Sequence, residues 1–546
     1  MSQPLSRREV IAALLGTPVL LTGCGESAAK NPPLPPGKLV GASAKAGHRT
    51  RTHQPPEIAD EDWEQVPVVI VGGGIAGLSA ARQLSRLERS DYVLLELEPE
   101  AGGTSRSGTS PVVDYPWGAH YVPAPGKANA PLVELFREMG LVEGTDEAGE
   151  PVYVEEALCR DPEERIFYRG TWYEGRYLAA GASPEDQAQY DRFREEVDRW
   201  VAWRDDRGRR AFTIPMSVGS DDSTVTSLDQ ISMADWMATH GFDSPRLNWL
   251  VDYACRDDYG LRSQQTSAWA GLFYFAARTN SAGEESQPLL TWPEGNGRLV
   301  AHLRSQSKGE IRTGLTVVDL EPVEHDGRQQ VRVKAVPADG GQSVGLIAER
   351  VIFAAPRFVG RHVIAPWRNS PPEGLEDFQY GAWVVANLFL RDRPAWRGFP
   401  LCWDNVIYES SSLGYVAATH QRGLDHGPTV FTWYLPLCDE LPVEARQQLL
   451  DGGREIWAEA ALAELSLAHP DVRSLVERID VMLWGHAMIL PRPGFLWGGA
   501  RQQAAEPFRG IHFAHSDLSG LALFEEAFHH GLRAADEVAA ALKTWN

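Results

Sequence analysis

The fold is decided by the stretch VPVVIVGGGIAGLSAARQL, residues 66–84. Its β-branched start is typical of a buried parallel strand, and apolar residues then recur at helical spacing. Three glycines at the junction of strand and helix have different tasks. Gly72 permits the tight turn, Gly74 lets the backbone approach a pyrophosphate, and Gly77 lets helix and strand pack closely.

A second strand and an acid complete this unit. The helix opens at Ile75 and Ala76, where free N–H groups and the helix dipole attract phosphates. Residues 92–95 form the next β-branched and apolar run, and Glu96 ends it. A carboxylate about 20 residues past the glycines accepts hydrogen bonds from a ribose. The order of these elements predicts an α/β, Rossmann-type dinucleotide-binding domain.

Length, charge and cysteine spacing restrict the number of domains and the classes of partner. The chain has 546 residues, 74 acidic and 52 basic side chains, and a net charge of −22. This length predicts two domains. The acid excess argues against a nucleic-acid partner and mildly favours a cationic substrate. The five cysteines show no CxxC spacing, so we expect neither a zinc site nor a disulfide framework.

Residues 1–23 have the pattern of an export signal. Arg7 and Arg8 precede the apolar run 12–21, which is too short to span a bilayer. Paired arginines indicate the twin-arginine route, which carries folded cargo. The run ends in Leu-Thr-Gly-Cys24, which resembles a bacterial lipobox. We therefore expect an exported protein, periplasmic or on the outer cell surface, with a membrane anchor at Cys24. The alternative is a signal that is cleaved elsewhere, with Cys24 incidental.

Residues 24–62 are rich in proline and glycine and show no apolar periodicity. We expect an extended tether between lipid and folded body. The alternative is an arm that wraps the body, with Leu39, Val40 and His48 as its contacts.

Two segments after Glu96 indicate which dinucleotide is bound. They contain Gly102, Gly103, Thr104 and Arg106 in the first segment, and Gly118, Ala119 and His120 in the second. Both resemble motifs of the FAD-dependent amine oxidase and phytoene desaturase superfamily. The resemblance implies that the first segment lies beside the FAD phosphates and the second under the flavin ring. Thr104 stands where this superfamily usually has arginine, with Arg106 as a substitute.

The resemblance returns in the middle and at the end of the chain. Residues 291–299 look like the loop that opens a helix in this superfamily. Residues 313–356 look like its returning strands, in which the backbone of Val317 would contact adenine. Residues 510–517 resemble its closing motif, with Asp517 at the flavin ribityl or phosphate region and a helix following.

The resemblance implies an FAD-binding domain interleaved with an α+β substrate domain, and an active site between them. The expected FAD-binding parts are 63–123, 290–375 and 481–546, and the expected substrate parts are 124–289 and 376–480. The first substrate part is expected to be mostly helical. The second is expected to be a sheet backed by a helix from about Pro442 to Leu467.

Parts of the amine oxidase machinery are missing. Many of these amine oxidases place a lysine near the flavin, and the counted position here is Ala386. The aromatic pair that sandwiches small amines is replaced at the counted positions by Ala487 and Leu523. These departures weaken a monoamine oxidase interpretation and leave the flavoprotein interpretation intact.

Four residues are candidates for the catalytic region. Asp257 and Asp258 lie among aromatic residues and could hold a cation, although solvated ion pairs at a helix end explain them as well. His486 stands where some relatives link a cysteine to the flavin, so a histidyl link, a stacking role and a solvated loop residue all remain open. Trp484 lies near the flavin motifs.

The sequence therefore predicts an FAD-dependent oxidoreductase that takes hydride from an amine, such as a polyamine or an amino-acid derivative. One alternative is a desaturase or isomerase of an apolar polyene on the same fold. Another is a ligand-binding lipoprotein with structural FAD. Oxygen and a redox partner both remain open as electron acceptor.

Overall fold

A computed structural model describes residues 33–52 and 54–543. The expected signal and Cys24 lie outside these residues. Two large mixed sheets organise the described chain, and each gathers strands from distant parts of the sequence. In the described part of the chain, no helix has the length and apolar character needed to cross a bilayer.

The seven-stranded sheet carries the dinucleotide turn at the end of Trp63–Val71. That strand lies between Tyr92–Leu95 and Val344–Phe353, and all three run parallel, as a Rossmann-type unit requires. The other strands of this sheet are Glu310–Arg312, Leu315–His325, Arg328–Pro337 and Ile511–Phe513. The α/β fold class predicted from the sequence is confirmed.

Small residues allow close packing around the turn. A Cβ on Gly77 would overlap the carbonyl oxygen of Gly72, and a Cβ on Gly531 would overlap the carbonyl oxygen of Ala76. Gly531 belongs to the closing helix Phe524–Lys543, which packs on the helix Ile75–Arg86. Both glycines are therefore needed for helix contact rather than for an unusual turn.

The eight-stranded sheet forms the base of the substrate half. Its order is Leu39–Gly41, Val476–Ile489, Tyr380–Leu390, Thr429–Pro436, Tyr415–Ala417, Asp404–Ile407, Glu164–Tyr168 and Thr171–Glu174. The second of these strands continues past residue 480, the expected end of the substrate domain. Its pairing with Tyr380–Leu390 extends from Val476 to Ile489, with two register shifts, and keeps the whole strand in the substrate half.

The first substrate insertion contains strands as well as the expected helices. Glu164–Tyr168 and Thr171–Glu174 form a hairpin around Arg169 and Gly170, whose φ angles are 48° and 82°. Positive φ at both turn positions suits a tight hairpin, but Arg-Gly is a weak sequence signal for it. Two shorter strand pairs are Ser107–Gly108 with Tyr115–Pro116 and Val142–Thr145 with Pro151–Tyr153; a third joins Tyr121–Pro123 to Leu289–Thr291.

Helices cover both sheets. The expected helix at 442 spans Pro442–Ala468 and is broken at Gly453, where φ is 60°. Ser183 caps the long helix Pro184–Ala202 with a capping box. The remaining α-helices are Ala44–Thr52, Ala130–Glu138, Ser223–Thr226, Met233–Thr239, Pro245–Tyr259, Ala268–Ala276, Gly297–Gln306, Arg357–Val363, Ala365–Asn369, Val472–Leu475 and Ala500–Ala504.

Residues 33–52 lie against the folded body. This is the second of the two arrangements expected from the sequence, an arm rather than an extended tether. Leu39–Gly41 pairs in parallel with Val481–Leu483, and the helix Ala44–Thr52 follows it. We call residues 33–52 the arm.

Candidate functional site

A cavity of about 1350 Å³ lies between the two halves. It exceeds the roughly 300–1000 Å³ of ordinary small-molecule sites, so it has room for a dinucleotide together with a substrate. Most residues singled out from the sequence line it: Gly72, Gly74, Ile75, Ala76, Glu96, Gly102, Gly103, Thr104, Gly118, Ala119, His120, Asp257, Asp258, Trp484, His486 and Asp517. Gly77, Arg106 and Val317 are outside this lining.

The dinucleotide end is built around the Glu96 carboxylate. Gly73 N donates to its Oε2 at 2.6 Å, and Glu98 N donates to its Oε1 at 2.8 Å. Burial raises the pKa of Glu96. Ionised carboxylates have about four acceptor positions, so lone pairs remain for a ribose. Leu315 N donates to the Glu96 carbonyl at 2.9 Å, which places the strand of Val317 beside this end.

The glycines leave room for a phosphate. Gly72 has φ +103° and sits against the carbonyl of Ala354, whereas a Cβ on Gly74 would meet no protein atom within 4 Å. Gly74 faces the cavity, so the open space at its Cβ is cofactor space. Gly102 N donates to the Gly73 carbonyl at 2.8 Å and joins the second glycine turn to the first.

Arg106 supplies positive charge behind these turns, and Glu98 pairs with only one end of its guanidinium. Its Nη1 is 3.9 Å from Glu98 Oε2, and its guanidinium lies 5.7 Å from the ring centre of Trp484. Its buried Nε and Nη2 have no hydrogen-bond partner among the described residues. Arg106 lies outside the cavity lining, so it would act on a diphosphate at the glycine turns through its charge rather than through direct contact. The residues present therefore fit FAD.

The segment expected under the flavin ring forms an aromatic wall. His120 stacks on Tyr434 with ring centres 4.8 Å apart, and Tyr434 Oη donates to the Gly118 carbonyl at 2.9 Å. Burial lowers the pKa of His120 to about 4, so the ring is neutral. Trp403 also contacts His120, at 5.4 Å between ring centres. Sequence reasoning missed Tyr434 and Trp403, because they lie in separate strand regions without a motif.

Asp517 and His486 lie close together in the cavity wall. Asp517 accepts hydrogen bonds from Arg357 N and Tyr380 Oη, so part of its capacity is used within the protein. His486 stacks on Phe358 at 4.3 Å. Burial, helped by nearby Arg446, lowers the pKa of His486 to about 3. His486 is therefore a neutral cavity residue and not a solvated loop residue.

The expected acidic pair is split by the structure. Asp258 Oδ2 lies 2.5 Å from Arg278 Nη2, and Tyr121 Oη donates to Asp258 Oδ1 at 3.3 Å. Asp257, the preceding residue on the helix Pro245–Tyr259, has no hydrogen bond or ion pair within the described ranges and lines the cavity. Asp258 is thus a structural ion-pair partner, and Asp257 alone is available to a ligand.

Asp404 takes the place expected for Asp258. It lines the cavity beside Asp257, and its Oδ2 is 3.5 Å from Arg176 Nη2. Burial raises its pKa to about 7, with Arg176 opposing and Asp257 adding to the shift. Burial and Asp258 raise the pKa of Asp257 to about 6. Asp404 is the first residue of the short strand Asp404–Ile407 and carries no sequence signal.

The strand around Ala386 shows which side chains face the cavity. Trp383 and Val385 line it, whereas Ala386 is fully buried among the side chains that pack on the other face of the sheet. Strand alternation explains this difference. The position counted from the sequence, Ala386, therefore points away from the cavity. The strand residues that do face the cavity, Trp383 and Val385, are not lysines either. Ala487 and Leu523 do line the cavity.

Solved amine oxidases share this fold. Putrescine oxidase, solved with putrescine bound, superposes with a TM-score of 0.63 at 16% identity over 87% of this chain and 99% of that chain. Cyclohexylamine oxidase from Brevibacterium oxydans IH-35A gives 0.60 at 15% identity over 88% and 100%. A fatty acid isomerase from P. acnes gives 0.57 at 14% identity over 88% and 99%. A comparison with curated proteins finds no match.

These features define a two-domain, FAD-dependent oxidoreductase. They are the glycine turn with Glu96, the aromatic wall around His120, and the cavity between the two domains. The family of flavin-containing amine oxidoreductases matches residues 75–539. The chain belongs to that family, and its cofactor is FAD.

Proposed function

We propose that this enzyme oxidises an amine that enters the cavity as a cation. The observation that carries this proposal is Asp257, a carboxylate without an ion pair in the described chain, beside Asp404 in the cavity wall. Glu163 and Glu525 also line the cavity. An ammonium group would relieve the repulsion between Asp257 and Asp404 and gain charge-assisted hydrogen bonds.

The aromatic wall supports the same substrate class. His120 and Tyr434 present a neutral stacked pair, and Trp403 stands next to it. Aromatic faces attract cations, with about 2 kcal/mol for desolvated contacts. Asp257 would hold one ammonium group of a diamine or polyamine while the wall orients its carbon chain.

Bound FAD supplies the hydride acceptor. The amine that reacts must first lose a proton to water, so that its nitrogen is neutral. A C–H bond next to that nitrogen then breaks, its electron pair leaves as hydride, and a C=N bond forms. Neither Trp383 nor Val385 could move a proton, so the strand Tyr380–Leu390 contributes an apolar wall to the cavity and no base.

A second candidate is an apolar polyene. The cavity wall at Trp383, Val385, Ala487 and Leu523 is apolar apart from the indole N–H, and the fold is shared with a fatty acid isomerase. Those features suit a hydrocarbon chain, but they leave the carboxylate of Asp257 in the cavity wall without a cationic ligand.

Anaerobic mixing separates the candidates. Holoenzyme is mixed with polyamines, monoamines and apolar polyenes in the absence of oxygen, and loss of the oxidised flavin absorbance is followed. We expect amines to bleach the flavin, diamines fastest. Bleaching by polyenes and by no amine would replace the amine proposal.

We further propose that the enzyme is exported folded and anchored by lipid at Cys24. Acyl chains contribute about 0.8 kcal/mol for each buried CH₂. Cys24→Ser should therefore move the protein from the membrane to the soluble fraction, or leave the signal uncleaved. Fractionation and the mass of the N-terminal peptide report both results, and Cys159→Ser serves as a cysteine control. An unchanged membrane fraction would contradict the anchor.

A further inference from the structure

The arm connects the two halves of the enzyme. On the substrate side, Ile479 N and Val481 N donate to the carbonyls of Pro36 and Lys38, both at 2.9 Å. On the FAD side, Ser43 N donates to Glu98 Oε1 at 2.5 Å, and Arg49 Nη1 donates to the Pro337 carbonyl at 2.7 Å. The arm therefore crosses the opening between the halves.

The crossing segment forms part of the cavity wall. The arm residues that line the cavity are Leu39, Gly41, Ala42, Ser43, Ala44, Lys45, Gly47, His48, Thr50 and Arg51. They extend from Glu98, beside the dinucleotide turn, to His486, whose pKa Arg51 helps to lower. A nine-residue helix spans about 13 Å, and residues from its first to its last turn line the cavity.

Burial of the arm helix does not explain its position. Its sequence is AKAGHRTRT, and Ala46 alone among its described apolar residues belongs to the buried core. A helix of this length is marginal by itself. It carries Lys45, Arg49, Arg51 and no acid, in a chain of net charge −22. The positive charge of the arm helix is complementary to the negative charge of the diphosphate that the cavity would bind.

We propose that residues 39–51 are a third wall of the FAD site, which holds the bound cofactor in the cavity. FAD then leaves only when the arm separates from the body. The family match begins at residue 75, so this wall lies outside the part of the chain that the family describes. The proposal depends on the FAD site and not on the amine substrate.

Gly37→Ala should detach the arm, because a Cβ there would overlap the carbonyl oxygen of Ile479. FAD release is measured from holoenzyme as the rise of free-flavin fluorescence after dilution. We expect release to become at least about tenfold faster, since affinity differences of this kind reside mainly in dissociation rates. Limited proteolysis should cut residues 33–52 earlier than in the unmodified chain. The control is Gly144→Ala, a remote glycine whose Cβ would meet nothing within 4 Å.

A disulfide cross-link that fixes the arm to the body tests whether FAD release becomes slower. Leu39 and Val481 are strand partners, and neighbouring strands lie about 4.8 Å apart, within disulfide range. Leu39→Cys with Val481→Cys should slow FAD release at least about tenfold when oxidised, and reduction should restore the original rate. Equal release rates in the oxidised and reduced forms would overturn the proposal. An arm that is cut readily in Gly37→Ala while FAD release stays unchanged would overturn it too.

Discussion

Gly74→Val is expected to give a folded and colourless protein. A Cβ at Gly74 meets no protein atom within 4 Å, so the fold accepts the valine, and its methyl groups enter the cofactor space. Overpacking of a filled site costs about 1–3 kcal/mol. FAD affinity should fall about hundredfold, which corresponds to about 2.8 kcal/mol. The measurement is the ratio of flavin absorbance to protein after gel filtration, together with FAD titration of the apoprotein.

Gly144→Val is the matched control for this experiment. A Cβ at Gly144 would also meet open space, and this residue lies in the strand Val142–Thr145 outside the cavity lining. β-Branched residues such as valine are favoured in strands. It should bind FAD normally. If Gly74→Val kept a full complement of yellow cofactor, the assignment of the phosphate site to this turn would be wrong.

Asp257→Asn is expected to weaken binding of a permanent cation about thirtyfold, or about 2 kcal/mol, because unit charges about 4 Å apart attract by about 1 kcal/mol in water and about 4 kcal/mol near a protein surface. A quaternary ammonium ligand is the appropriate probe because its charge does not depend on pH. Its dissociation constant is measured from perturbation of the flavin spectrum. Asp258→Asn instead breaks the pair with Arg278, so it should lower the melting temperature more than Asp257→Asn does.

The same probe reports the pH dependence. The pKa is raised to about 7 for Asp404 and to about 6 for Asp257. Both groups are therefore ionised above pH 7 and take up protons as the pH falls through 7 and 6. Binding of the permanent cation should weaken over that window, and the lower part of the change should disappear in Asp257→Asn. A flat profile between pH 8 and 5 would show that neither carboxylate contacts the ligand.

The dinucleotide half could be predicted from sequence because its signals are local. Gly72, Gly74 and Glu96 lie within one strand–turn–helix–strand unit, where residue spacing fixes geometry. The cation end could not be predicted in this way. Asp257 and Asp404 come from a helix and a strand 147 positions apart, and only the tertiary fold brings both into one wall.

Counting along the chain failed where side-chain direction mattered. The step from Val385 to Ala386 exchanges the cavity face of the strand for the opposite face, and successive residues of the helix Pro245–Tyr259 separate Asp257 from Asp258. In the strand one residue changes the face, and in the helix one residue decides whether the carboxylate has an arginine partner. Alternation in strands and the roughly 100° step in helices make one residue enough to change a side chain's surroundings.

The position of the arm strand has a consequence for how the chain avoids association with other proteins. Val476–Ile489 is a 14-residue strand, and Leu39–Gly41 covers its outer edge at Val481–Leu483. Unpaired edges of this kind recruit strands from other molecules, and short edge strands prevent it. The three-residue strand Leu39–Gly41 is a poor template, so the arm limits edge-to-edge pairing with strands of other molecules. A chain shortened past Gly41 would expose the longer edge and should form soluble aggregates.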